Sequence, residues 1–220
     1  MPVDLVLFDC DGVLVDSEVL SARVLADEAT ALGRPLSPED CLDRFTGISM
    51  AAVRSMIEAD LGQPLPPDFE ARIRAADERA FARQLRPIEG VEAAIRALDC
   101  RRCVASSGSP EKMRFTLGLT GLLPLFEPHL FSASMVARGK PAPDLFAYAA
   151  RQMRVPPAAC LVVEDSVAGV TAAVAAGMDV LGFAGGAHCR DGYASMLQRA
   201  GARMTFERMA QLPALVARGR

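Results

Sequence analysis

The run Val3-Asp4-Leu5-Val6-Leu7-Phe8-Asp9-Cys10-Asp11-Gly12 holds four strand formers in a row and then breaks into acid and glycine. An apolar run this short, closed by turn residues, reads as a fully buried strand of a parallel sheet. The polar residues that follow such a strand fall at its carboxyl end, where open α/β sheets bind ligands. Asp9 and Asp11 are therefore candidates for chemistry from their position alone.

The rest of the chain sorts around that strand. Residues 16 to 85 read as helices only, the first capped by Asp16 or Ser17 and stopping at Gly33, one running from a Ser49 cap to Leu61, and one from about Asp68 to Leu85. After Pro87 helix and strand alternate. Strands are expected at Arg102–Ser106, Leu130–Ser132, Cys160–Val163 and Asp179–Phe183, with helices at about 91–99, after Ser109-Pro110, near Pro143, and from a Ser166 cap to Gly177. The last 35 residues are expected to hold one more helix, a possible edge strand and a frayed basic end. The order implies an α/β fold: a Rossmann-like parallel sheet with helices on both faces, plus a helical cap inserted after the first strand. Residues 1–15 and 86–220 would form the core and residues 16–85 the cap.

Composition narrows the function. The 220 residues are 51% hydrophobic and 23% charged, with a net charge of −3. That balance supports a sizeable core and supplies no basic field for nucleic acid. No stretch of about twenty apolar residues suggests a membrane span. The start at Met1-Pro2 leads straight into a strand, so no signal peptide is expected. The six cysteines form no disulfide framework; Cys103 and Cys160 sit in apolar runs, and Cys100-Arg101-Arg102-Cys103 stands alone. A reducing, cytoplasmic setting and a monomer are expected. Only Lys112 and Lys140 are lysines, which makes each informative.

Four acids end two strands: Asp9 and Asp11 after the first, Glu164 and Asp165 after the one beginning at Cys160. Converging acids repel unless a cation sits between them, and magnesium prefers such oxygen ligands. Lys140, in Gly139-Lys140-Pro141-Ala142-Pro143-Asp144, can place a point charge on a phosphate oxygen. Ser106, with the amides of Ser107 and Gly108, can donate to others. Phosphoryl transfer needs little beyond such positioning and charge neutralisation.

These residues resemble the four motifs of the haloacid dehalogenase-like (HAD) phosphohydrolase superfamily: Phe8 to Glu18, Val104-Ala105-Ser106-Ser107, Lys140 with Pro-Ala-Pro-Asp, and Val163-Glu164-Asp165-Ser166. Cys10 departs from the usual middle residue and is expected to point away from the ligand. The resemblance implies that Asp9 is the nucleophile and Asp11 the acid and base. It implies magnesium held by the Asp9 carboxylate, the Asp11 carbonyl and the Asp165 carboxylate, with Glu164 acting through a water. It implies that Lys140 offsets charge and that Ser106 binds the phosphoryl group, with Ser107 beside it. The loop Phe45-Thr46-Gly47-Ile48-Ser49 resembles the cap loop that selects substrate, giving Thr46 and Gly47 as candidates.

Within that superfamily Asp11 argues against a dehalogenase. The lysine-free segment 16–85 argues against Schiff-base phosphonatase chemistry, and intact motif acids argue against a non-catalytic binder. A β-phosphoglucomutase-type mutase remains the alternative, although such enzymes carry a histidine where this chain has Ser21. The stretches around Arg86–Val91 and Cys103–Gly108 resemble sugar-phosphate and 6-phosphogluconate phosphatases, so a small phosphorylated metabolite is the expected substrate. Lys112 is expected to be a helix-surface charge, and His129 and His188 to be structural or exposed. Each cap arginine is expected to be solvated.

Overall fold

A computed structural model describes residues 3–218; the first two residues and the last two, which include part of the expected signal-free start and frayed basic end, lie outside them. Strand β1 (Leu5–Phe8) is wholly buried. Its side chains alternate faces, as a strand's must: Val6 and Phe8 enter one hydrophobic cluster, Leu5 and Leu7 another. Both faces are therefore covered, which is why the run carries no polar alternation.

From β1 the chain enters four helices, α1 (Glu18–Ala31), α2 (Pro38–Phe45), α3 (Met50–Leu61) and α4 (Phe69–Gln84). They bury a cluster of their own that includes Leu25, Phe45, Ile57, Phe69 and Ile73. The α2 helix was not expected. Its signal is a capping box: Ser37 Oγ accepts from the Asp40 amide at 3.0 Å and Asp40 Oδ2 accepts from the Ser37 amide at 2.9 Å. The chain leaves the sheet at Asp16 and returns beside it at Arg86, where the Asp16 amide donates to the Arg86 carbonyl at 3.0 Å. The end of α4 reaches into the sheet's cluster through Phe81 and Leu85.

The remainder alternates: α5 (Val91–Arg96), β2 (Arg101–Ser106), α6 (Pro110–Leu119), β3 (Leu130–Ser132), α7 (Asp144–Gln152), β4 (Cys160–Glu164), α8 (Val167–Ala175), β5 (Asp179–Phe183), α9 (Tyr193–Ala200), β6 (Met204–Phe206) and α10 (Leu212–Ala217). Two helices, not one, follow β5. The sheet is parallel throughout, in the order β3-β2-β1-β4-β5-β6. Chain order reverses direction at β1, so the crevice at a topological switch point lies beyond its carboxyl end. Helices α5 and α6 pack on one face, α7 and α8 on the other. Ser109 and Ser166 cap α6 and α8, each Oγ accepting from an amide three residues on. No helix of the described residues is long and apolar enough to cross a membrane.

Candidate active site

Asp9 is the first residue past β1, and its amide still donates to the Val163 carbonyl of β4 at 3.0 Å. Its side chain thus emerges between the two central strands. The chain turns at once: the Gly12 amide donates to the Val15 carbonyl, and the Leu14 and Val15 amides to the Cys10 carbonyl. Gly12 sits at φ +74°, and a Cβ there would overlap the Asp165 carboxylate. Only glycine suits a positive φ and so close an approach. Cys10 points into the core, as expected, with its Sγ 3.8 Å from Thr116 Oγ1.

One buried lysine joins the strand ends. Lys140 Nζ donates to Asp9 Oδ1 at 2.8 Å and also to Glu164 Oε1. Glu164 Oε2 accepts from the Ser166 amide at 2.8 Å and the Ser166 hydroxyl at 2.9 Å. Both oxygens of Glu164 are therefore engaged, in holding Lys140 and the start of α8. Asp165 is buried beside it; His188 Nε2 stands 3.0 Å from Asp165 Oδ2, yet that oxygen has no aligned hydrogen-bond donor among the described residues.

Asp9, Glu164 and Asp165 each offer an oxygen within 4.8 Å of the others. Burial, with the mutual repulsion of these acids, pushes the Asp9 and Asp165 carboxyls well above the usual carboxylate range, and Lys140 only partly opposes this at Asp9. Three buried acids facing one lysine, an orphaned carboxylate oxygen and an all-oxygen donor set fit a hard divalent cation. Such a charge returns the acids to their ionised forms.

Asp11 lies on the other side of the turn. Its Oδ1 accepts from Ser17 Oγ at 2.6 Å and pairs with Lys112 Nζ at 3.0 Å. Burial pushes its carboxyl up, but Lys112 and Ser17 together hold it below the usual range. Asp9 and Asp11 open onto a cavity of ≈ 330 Å³ between the sheet end and the helices α1–α4. Ser106, Ser107, Thr46 and Gly47 line it as well. Ser106 Oγ accepts from the Gly108 amide at 3.1 Å, which leaves its own proton to donate. Ser107 Oγ donates to the Gly47 carbonyl at 3.2 Å and so ties the loop after α2 to the end of β2.

Residues 3–177 match the family model of haloacid dehalogenase-like hydrolases. The chain belongs to that family. A 6-phosphogluconate phosphatase of Escherichia coli (strain K12) is 35% identical over 214 residues, 97% of this chain and 94% of that protein. A conserved haloacid dehalogenase-like protein of unknown function from Agrobacterium tumefaciens superposes with a TM-score of 0.84 at 38% identity, over 98% of both chains. A HAD family hydrolase of Deinococcus radiodurans R1, crystallised with bound phosphate and sodium, superposes with a TM-score of 0.76 at 33% identity, over 99% of this chain and 96% of that one. Family and relatives together support a phosphatase.

Several expectations change within this HAD frame. Lys140 stands behind Asp9 with 7% exposure and is not among the residues lining the cavity. Thr46 lines the cavity, but its hydroxyl donates to the Leu42 carbonyl at 2.7 Å. Lys112 is not a surface charge: it reaches Asp11 and the cavity, with its Nζ 5.8 Å from the Phe81 ring centroid. Its signal was its rarity and its place in the first turn after the Ser109 cap, on a helix that begins at the site. His188, expected to be structural or exposed, is buried, and the loop after β5 folds it against Asp165. Ser17 does not cap α1 but binds Asp11. Among the arginines of residues 16–85, each expected to be solvated, Arg74 lines the cavity and is exposed. All six cysteines are free, and burial pushes the thiols of Cys10, Cys41 and Cys103 up, away from redox or metal chemistry.

Proposed function

We propose that this enzyme hydrolyses small phosphomonoesters, sugar or sugar-acid phosphates, with magnesium as cofactor and Asp9 as nucleophile. The observation that carries the reading is the junction of two things at Asp9: a buried acid cluster suited to a cation, and a cavity with a second, separately hydrogen-bonded acid at Asp11.

Asp9, Asp165 and the Asp11 backbone carbonyl would hold magnesium, with Glu164 acting through water; bound there, the ion neutralises phosphate charge. The protein's own groups do the rest. A carboxylate oxygen of Asp9 forms a bond to phosphorus as the bond to the leaving oxygen breaks. Asp11, ionised beside Lys112, takes the proton that a phosphate monoanion brings and passes it to that leaving oxygen. Asp11, ionised again, takes a proton from water, whose oxygen attacks phosphorus and releases Asp9. Lys140 fixes the Asp9 carboxylate and offsets the negative charge gathered around it. Ser106, with the Ser107 amide, binds phosphoryl oxygens, while the Gly108 amide holds the Ser106 hydroxyl.

In this reading residues 16–85 act as a cap over a core of residues 1–15 and 86–220, and Gly47 and Thr46 meet the substrate when the loop seats on the core. The expected setting is the cytoplasm, as a monomer; a monomeric mass in solution checks the latter. Release of phosphate from an aryl phosphate tests the whole reading. It should depend on magnesium and stop in excess chelator. Full turnover without divalent metal would refute it.

A further inference from the structure

The inner wall of the cavity is built for hydroxyl groups. Ser21 Oγ of α1 and Asp77 Oδ1 of α4 are both buried and face the same cavity; they lie within reach of each other, but neither makes an aligned hydrogen bond to any described residue. One can donate and accept; the other, when ionised, only accepts. Leaving such groups unmet is costly, so a ligand that fills the cavity must supply partners to them. A hydroxyl group supplies both a donor and an acceptor, whereas a carboxylate brings only acceptors and a second negative charge.

The cavity's cations do not change this. Lys112 already pairs with Asp11. Asp77 and Glu18 line the cavity beside that pair, so three acids share one ammonium. Arg74 is exposed and lies one helical turn from Glu70 and from Glu78, which line the same rim. At the inner wall a carboxylate on the leaving group therefore faces Asp77 and a lysine that is already paired, and Arg74 is left to the exposed rim.

We propose that Ser21 and Asp77 form the leaving-group subsite, and that it selects a neutral polyhydroxylated leaving group over one bearing a carboxylate. This rests on the phosphatase reading and departs from the sugar-acid substrate named for the E. coli relative. Ser21 and Asp77 are specificity residues, touching the part of the substrate that leaves, while Asp9 and Asp11 act on phosphorus.

A matched pair tests it: glucitol 6-phosphate and 6-phosphogluconate differ at one terminal carbon, alcohol against carboxylate. With the magnesium-loaded enzyme, kcat/KM should favour the alcohol by about tenfold or more. Asp77→Asn keeps the shape and removes the charge; it should at least halve that preference, mainly by improving 6-phosphogluconate, with the thermal midpoint checked against wild type. Ser21→Ala should weaken KM for glucitol 6-phosphate without a matching loss for an aryl phosphate. A preference for 6-phosphogluconate, or a ratio unmoved by Asp77→Asn, overturns the subsite while leaving the phosphatase reading intact. Failure to turn over either ester or an aryl phosphate overturns both.

Discussion

Lys140 Nζ lies 2.8 Å from Asp9 Oδ1, with both side chains buried, and the same nitrogen holds Glu164. One ammonium thus neutralises carboxylates at the ends of adjacent strands, 131 and 24 residues away in sequence. Removing it leaves two acids close together in a desolvated site. Lys140→Met should cost about 3–5 kcal/mol in stability when measured by denaturant unfolding in chelator. It should also lower phosphate release by about a hundredfold or more, the scale of losing one preorganised charge contact. Lys140→Arg should not restore the rate, because a planar fork cannot replace a compact ammonium between two oxygens. A Met variant as stable and active as wild type would contradict this account of the lysine.

Gly47 governs how closely the loop after α2 approaches the sheet. It sits at φ +79°, and a Cβ there would overlap the side chain of Ser166. Its carbonyl is also the acceptor for Ser107 Oγ. Gly47→Ala should therefore push the loop away from the site. The positive φ costs about 1 kcal/mol for alanine, so the thermal midpoint should fall only slightly. Phosphate release should fall about tenfold, since a misplacement of this kind far exceeds what near-attack geometry tolerates. Steady-state kinetics beside a melting curve separates the two effects.

Glu18 gives a pH prediction. Burial, reinforced by Asp11 and Asp165, raises its pKa from 4.5 to about 8. In the unfolded chain the group ionises near 4.5, while in the folded chain it keeps its proton to about 8. Between those values the native state binds more protons, so stability falls as pH rises. Glu18→Gln removes that penalty. Its melting temperature in chelator should match wild type near pH 4.5 and exceed it progressively up to about pH 8. Parallel melting curves across that window would reject the assignment.

Much of this was legible before any coordinates. The buried run Leu5–Phe8 and the strands ending at Ser106 and Glu164 announce themselves by continuous apolar residues closed by polar ones, a local signal. Asp9, Asp11, Ser106, Glu164 and Asp165 follow because strand ends are where a parallel sheet gathers its chemistry. Lys112, His188 and Asp77 escaped because each is brought to the site by packing between elements. Lys112 arrives on α6, His188 on the loop after β5 and Asp77 on α4, and none is in register with a strand end. Ser17 was misread because a serine before a helix is ordinarily a cap, while here the nearby Asp11 carboxylate takes its hydroxyl. The α2 helix was missed although its capping box was written in Ser37-Pro38-Glu39-Asp40.

The central claim is that Asp9 is the nucleophile. The direct measurement is phosphate release by Asp9→Asn with magnesium present, beside a circular-dichroism spectrum showing the fold retained. An amide cannot attack phosphorus as a carboxylate does, so turnover should fall to background. An Asp9→Asn protein that folds and keeps half the wild-type rate would contradict the account.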